Sequence, residues 1–315
     1  MKKHSSLVLA FAACTALLSG CGGGGHTGTT ELSPPTTSST ERHTLSTPGP
    51  GPVQITGAGA TFDSSGNMTE DGVTYPFIFK GIPRPSWVRL PWLSPSQSYL
   101  GYQGIGLEVD PTGSPLPPTD GKNDKAELTF RKGFPFQEDD WTGFAMELGL
   151  STDVPSGNVI LFQWWQGTPY GPPLSLMLEP ASDYSCMFSI RNNATGGNPS
   201  AATITLPAGT CQPGVWHTFL VHTRMHYAGE SGTGQLEVYH NDMTTPVIEW
   251  SGDIGYDPSQ CVLVNGTGAC QGGDPNPVFT SYYGPYRDNQ PHTVQSFFTN
   301  IKFALDQASA DPTQP

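Results

Sequence analysis

Charge is scarce in this 315-residue chain and positive charge scarcer still, with 14 Lys and Arg against 27 Asp and Glu. The formal net charge of −13 makes nucleic acid and anionic lipid headgroups poor partners. It also requires that any polyanionic substrate meet a local convergence of the few cations. Long apolar runs are missing: the longest, Leu7 to Leu18, is too short to cross a bilayer. No GxSxG, HExxH, P-loop or dinucleotide fingerprint is present, which removes the usual hydrolase, zinc-protease and nucleotide chemistries. There is no CxxC pair, so a zinc site is disfavoured and no metal or cofactor is expected. Nor does any strand-like segment carry the acids two apart that jelly-roll glycoside hydrolases use as nucleophile and acid. No segment sustains a 3.6-residue period, no internal repeat is visible, and no second Pro/Gly linker divides the chain after residue 53.

What is present begins with an export signal. Lys2 and Lys3 precede the apolar run, and small residues lead to Cys21, the layout of a cleaved leader over residues 1–21. Leu18-Ser19-Gly20-Cys21 looks like a lipobox, in which the thiol is diacylated and becomes the first mature residue. The rival reading is an ordinary secretory signal with a chance cysteine. Two acyl chains suffice for stable anchoring, and Gly22 in place of an acidic residue points to the outer membrane of a bacterial cell envelope. The lipid is the only membrane contact expected, with the domain in the periplasm or at the cell surface. Residues 22–53 are Gly, Ser, Thr and Pro with few apolar side chains, a disordered tether spanning roughly 30 Å as a coil. Residues 54–306 read as one domain, monomeric, and 307–315 as a disordered tail. Removing the two signal lysines leaves 12 Lys and Arg against 27 Asp and Glu, or −15.

Beyond the signal and Cys21, four cysteines remain: Cys186, Cys211, Cys261 and Cys270. In an exported protein these suggest two disulfides. Three pairings are formally possible, and sequence neighbours favour Cys186 with Cys211 and Cys261 with Cys270.

Between Gly and Pro breaks, short segments alternate apolar and polar residues: 144–150, 158–166, 174–178, 187–191, 202–206, 216–225, 235–241 and 295–304. Many short strands separated by turns predict an all-β sandwich or barrel. In 158–166 strict alternation sends Val159, Leu161, Gln163 and Trp165 one way and Ile160, Phe162, Trp164 and Gln166 the other, so one side fills a core and the other lines a groove. In 216–225, Phe219, Val221, Thr223 and Met225 form the core set. His222 and Arg224 lie opposite, as groove residues or as plain solvated ones.

Three segments stand out in order: Lys125-Ala126-Glu127-Leu128, Gln163-Trp164-Trp165 and Tyr282-Tyr283-Gly284-Pro285-Tyr286-Arg287. With them come Asp110-Pro111, Gly214-Val215-Trp216-His217, Gly234-Gln235-Leu236-Glu237-Val238-Tyr239 and Asn300-Ile301-Lys302. Over roughly residues 100 to 305 the chain resembles the jelly-roll polysaccharide lyases, the alginate lyases and their heparin- and glucuronan-lyase relatives. The resemblance implies a concanavalin A-like jelly roll of two antiparallel sheets and β-elimination on a uronic-acid-containing polysaccharide.

In that chemistry the proton at C5 is weakly acidic, so the neighbouring carboxylate must be neutralised as charge develops. A base takes the proton and an acid reaches the glycosidic oxygen, and a tyrosine can serve for both. By position in the motifs, Gln163 and Lys125 would hold the carboxylate, Tyr286 would carry the proton, and Arg287 would be an adjacent cation. Trp165, Tyr282, Glu127, Arg131, Arg224 and Tyr239 are the further candidates for substrate contact. The motifs depart from the alginate-lyase pattern at three places: Trp165 stands for histidine, Tyr282 for lysine and Lys125 for arginine. Trp165 can instead be a flat platform for a sugar ring. Each residue also has a purely structural reading, Gln163 at a core edge, Tyr286 as a packing tyrosine and His217 as a structural histidine. The alternatives of a carbohydrate-binding lectin on the same fold, or a surface lipoprotein without a sugar ligand, remain open at this level. The lipobox makes its own prediction: Cys21→Ala should shift the chain from the membrane to the soluble fraction on cell fractionation while its thermal melt is unchanged.

Overall fold

The computed structural model describes residues 52–79, 84–110, 123–166, 171–180, 182–193, 203–227, 230–257, 278–288 and 290–315. The signal, Cys21, nearly all of the expected tether, and Cys261 with Cys270 lie outside the described residues.

The alternating segments form strands. In chain order these are β1 (Val53–Ile55), β2 (Thr61–Phe62), β3 (Met68–Glu70), β4 (Val73–Tyr75), β5 (Phe77–Phe79), β6 (Trp92–Tyr99), β7 (Tyr102–Val109), β8 (Asn123–Pro135), β9 (Asp139–Leu148) and β10 (Val159–Trp165). They continue with β11 (Leu174–Leu178), β12 (Ser185–Asn193), β13 (Thr203–Thr210), β14 (Trp216–Arg224), β15 (Gly234–His240), β16 (Ile248–Gly252), β17 (Gly255–Tyr256), β18 (Val278–Asp288) and β19 (Val294–Ala304), before the single turn of helix α1 (Gln307–Ala310).

Two large sheets result. One runs β16-β15-β14-β9-β19-β7-β6 with β1 also on β19, the other β13-β12-β11-β10-β18-β8-β5, and β2-β3-β4 form a small third sheet. Named strands pair antiparallel except β17, which lies parallel to β12. The all-β, two-sheet architecture is the one the alternation predicts. Rings from the two inner faces meet between the sheets: Phe144 of β9 lies 5.0 Å from Phe162 of β10 and 5.5 Å, edge-on, from Tyr283 of β18. Such contacts are worth about 0.5–1.5 kcal/mol each beyond the area they bury.

Strict alternation fails in β10. Ile160 pairs with Tyr286 but Gln163 pairs with Tyr282, and the register shifts between Ile160 and Phe162. A bulge there resets the pleat. Phe162 and Trp164 therefore join Val159 in the core, while Ile160 shares the opposite face with Gln163 and Trp165.

Cys186 of β12 is bonded to Cys211 just past β13, with Cα atoms 5.9 Å apart and a sequence separation of 25. This is one of the two expected disulfides, and by loop closure it stabilises the fold by about 3 kcal/mol.

The chain ends differently from expectation. Val53, assigned to the tether, already pairs with Phe303, and residues 307–315, expected as a disordered tail, lie ordered against β19. The Asp306 side chain caps α1 by accepting from Ser309 N at 2.9 Å. Lys302 Nζ donates to the carbonyls of Asp311 at 3.1 Å and Gln314 at 2.9 Å, and Asn300 Nδ2 donates to those of Pro312 and Gln314, both at 2.8 Å. Asn300 and Lys302 are buried, and buried polar groups need partners; the tail's carbonyls supply them.

A histidine pair sits inside the first sheet. His217 is buried, its Nδ1 is 3.0 Å from His240 Nε2, and His240 Nδ1 is 2.6 Å from Ala208 O. His240 donates to the carbonyl, which leaves its Nε2 to accept from His217, so the network assigns both rings as neutral. Phe219 stacks on His240 at 4.4 Å. Burial, reinforced by His240, pushes His217 down from 6.5 to about 4. A depressed histidine contributes stability above its unfolded value that is lost as the pH falls through the folded one. Between pH 6.5 and about 4, denaturant titrations should therefore show a loss of about 3 kcal/mol that is absent in His217→Gln.

Candidate active site

The second sheet turns a polar face outward, set by register. Tyr286 pairs with Lys125 and Tyr282 with Thr129 across β18 and β8. Gln163 pairs with Tyr282 on one side and Ser175 of β11 on the other, and Ser175 pairs with Ser189 of β12. Directly opposed residues share a face. Lys125, Glu127, Tyr282, Tyr286 and Gln163 therefore project together, away from the aromatic core behind them. Five strands carry this face because their alternate residues, Leu128, Tyr283, Phe162, Leu176 and Phe188, are held in the core.

Gly284 makes the close β8–β18 pairing possible. Its φ is +126°, and a Cβ there would lie 2.2 Å from the carbonyl oxygen of Ala126. Only glycine meets both conditions, which explains the residue between the two tyrosines of the third motif.

The centre of the face is a buried carboxylate. Glu127 has no exposed surface; its Oε2 is 2.8 Å from Lys125 Nζ, and its Oε1 accepts from Gln163 Nε2. Burial pushes this carboxyl up, opposed by the charge and hydrogen bond of Lys125 and the hydrogen bond of Gln163. The same ammonium lies 4.8 Å from the Tyr282 ring centroid and 5.0 Å from that of Tyr286. Burial and then Glu127 push Tyr282 up to about 12, so its hydroxyl stays protonated and acts as a donor near neutral pH. Trp165 is half-buried and meets Tyr282 edge-on at 5.8 Å. Beside this set a cavity of about 200 Å³ is bounded by Tyr286, Arg287, Ile160 and Met177 from the sheet and by Asn158, Gly171 and Pro172, with Arg191 of β12 on its wall.

Other candidates lie elsewhere. Arg287 follows Tyr286 and so points to the opposite face; it is buried, 3.3 Å from Asp124 Oδ2, and donates to His292 O. It is thus a cation already committed to a buried ion pair, although it is also among the residues that line the cavity beside Tyr286. Arg224 and Tyr239 lie on the outer face of the first sheet, where Arg224 pairs with Asp139, and Tyr239 OH is 3.5 Å from Glu237 Oε2. They cannot touch a sugar bound over Gln163. His222, their neighbour, stacks on Trp141 at 4.4 Å and lies 2.9 Å from Asp139, and His217 belongs to the core pair. No histidine occurs in β8, β10, β11, β12 or β18. Arg131 pairs with Ser281 through the backbone, and its side chain lies outside the described residues. Arg191 was not singled out from the sequence. The alternation of Met187, Ser189 and Arg191 against Phe188 and Ile190 was the available signal.

Among curated proteins none matches the chain. Among solved structures, an endo-β-1,4-glucuronan lyase from the fungus Trichoderma reesei is similar with a TM-score of 0.54 at 14% identity, covering 76% of this chain and 99% of that one. An alginate lyase of polysaccharide lyase family 7 gives a TM-score of 0.44 at 11% identity, covering 80% of this chain and 93% of that one. An alginate lyase from Pseudomonas aeruginosa gives 0.41 at 14% identity, covering 64% and 82%. The sandwich is thus the jelly roll that the motifs imply. The family model described as polysaccharide lyase matches residues 95–302, a span that contains both sheets' central strands and every member of the polar face, and the chain belongs to that family.

Proposed function

We propose that the chain cleaves a uronic-acid-containing polysaccharide by β-elimination, with the outer face of the second sheet as its active site. The observation that carries this is the convergence of Gln163, Lys125, Glu127, Tyr282 and Tyr286 from three strands onto one face.

In β-elimination the C5–H bond breaks, its electron pair forms the C4–C5 double bond, and the C4–O bond to the leaving sugar breaks as that oxygen gains a proton. Charge builds on the uronate carboxylate along the way, so donors already aimed at it lower the barrier. Gln163 is such a donor: one N–H of its amide is held by Glu127, which orients the group, and the second remains for substrate. Tyr282 holds its proton and serves as a second donor. Tyr286 is then the group that moves the proton, from C5 to the glycosidic oxygen. Lys125, lying over both rings, places positive charge beside that transfer. Trp165 offers an aromatic surface on which a neighbouring sugar can stack. The lipobox and the Gly/Ser/Thr/Pro segment after it support a lipid-tethered enzyme on the outer membrane, working as a monomer. Trp165 in the place of a histidine favours one second reading, a lectin that binds the same polymer without turning it over.

Incubating the chain with a panel of uronic-acid polysaccharides separates the two. The lyase reading expects the ultraviolet absorbance of an unsaturated product; binding without product on every polymer establishes the lectin. In the active case, Gln163→Ala should lower kcat/KM about 10²–10³-fold. Tyr286→Phe should lower it about 10²–10⁴-fold, Tyr282→Phe, which removes the second donor, about 10²–10³-fold, and Trp165→Ala should mainly raise KM. Gly284→Ala should destabilise the fold by at least about 1 kcal/mol and lose activity by displacing Tyr286, seen as a lower melting temperature together with a lower kcat.

A further inference from the structure

The cleft as assembled is short of positive charge. Lys125, its motif cation, is committed to Glu127 at 2.8 Å, so the pair brings no net charge to an incoming carboxylate. The other cations of the described residues are engaged as well. Arg287 also lines the cavity but is paired with buried Asp124, Arg224 is paired with Asp139 on the other sheet, and Arg89 with Glu108. Arg84 donates to Val88 O, and Lys302 donates to carbonyls of the C-terminal tail.

Arg191 is the exception. Among the described side chains it is the cation without a carboxylate or carbonyl partner, and it lies on the wall of the 200 Å³ cavity that Tyr286 also lines. Its strand register places it on the Gln163 face: Ser189 opposes Ser175, which opposes Gln163, and Arg191 follows Ser189 by two. Room is made for its guanidinium by Gly171, where a Cβ would stand 1.8 Å from Arg191 Nη1. Gly171 is not among the positive-φ glycines, so backbone conformation does not call for glycine there. The space it leaves for arginine does. An unpaired guanidinium, held facing a cavity in a chain of net charge −13, is a site built for an anion, and its planar fork matches a carboxylate.

We propose that Arg191 binds the carboxylate of a uronate residue in this cavity and so sets the preference of the cleft for acidic over neutral glycans. This rests on the uronan reading of the site, and its test separates the two. Binding of glucuronan and alginate oligosaccharides to the full chain is measured by calorimetry beside their carboxyl-reduced counterparts, for wild type, Arg191→Gln and Arg191→Lys. Product formation is followed in parallel. The expected result is that wild type prefers a charged oligosaccharide by about 10- to 100-fold. Arg191→Gln should bring that ratio close to one without weakening the neutral ligand, a pattern that a general packing defect does not produce, and Arg191→Lys should restore part of it. A ratio unchanged in Arg191→Gln, or no charge preference in wild type, overturns the assignment. Product formation with an unchanged ratio leaves the lyase standing and removes Arg191. An Arg191-dependent preference with no product from any polymer leaves Arg191 standing and removes the lyase.

Discussion

Phe144, Phe162 and Tyr283 meet between the two sheets within 5.5 Å of one another, and the position of everything polar follows from that contact. A regularly pleated strand sends consecutive side chains to opposite sides. Holding Tyr283 and Phe162 in the core obliges Tyr282 and Gln163 to face out, and holding Leu128 in obliges Glu127 to do the same. The polar face is thus the reverse of the aromatic core, carried by the same strands. This gives the polar groups a rigid backing, which pre-organised hydrogen bonds to a developing charge require.

Placing a carboxylate with no exposed surface at the centre of that face carries an electrostatic cost, and Lys125 and Gln163 from two strands offset it. The arrangement ties the motifs together: Gln163 is oriented by Glu127, Glu127 is compensated by Lys125, and Lys125 lies over Tyr282 and Tyr286. The compensation also consumes the motif's cation. In a chain with so few lysines and arginines, what remains for an acidic polymer depends on where the uncommitted charge stands, and in this fold it stands across the cavity on β12.

The chain's two sets of histidines show how burial sorts one residue type into different uses. His217 and His240 bond to each other and to Ala208 O, and burial pushes both below the usual histidine range, whereas His222 stands on the outer face between carboxylates. Neither set lies on the polar face of the second sheet, where Tyr282 is held protonated by burial and by Glu127. Tyr286 shares that face, on a strand segment that Gly284 brings close to β8.

Period-two alternation and the order of the three motifs were legible in the sequence because both are local: each strand carries its own pattern of apolar and polar residues wherever it later packs. From them came the all-β sandwich and the grouping of Lys125, Glu127, Gln163, Tyr282 and Tyr286, while the Cys186–Cys211 bond followed from pairing cysteines that are neighbours along the chain. Three things were not local. The bulge at Leu161 reset the faces of β10, since an extra residue in a pleat shows only against its partner strands. Strand order sent Arg224 and Tyr239 to the other sheet and brought Arg191 beside Tyr286, and a strand's own residues say nothing of its neighbours. The C-terminal residues read as a disordered tail by composition, yet buried Asn300 and Lys302 needed acceptors that the tail's backbone carries. The sequence by itself determined which side chains share a strand face; tertiary structure alone decided which faces meet, because pairing and charge compensation act between segments far apart in the chain.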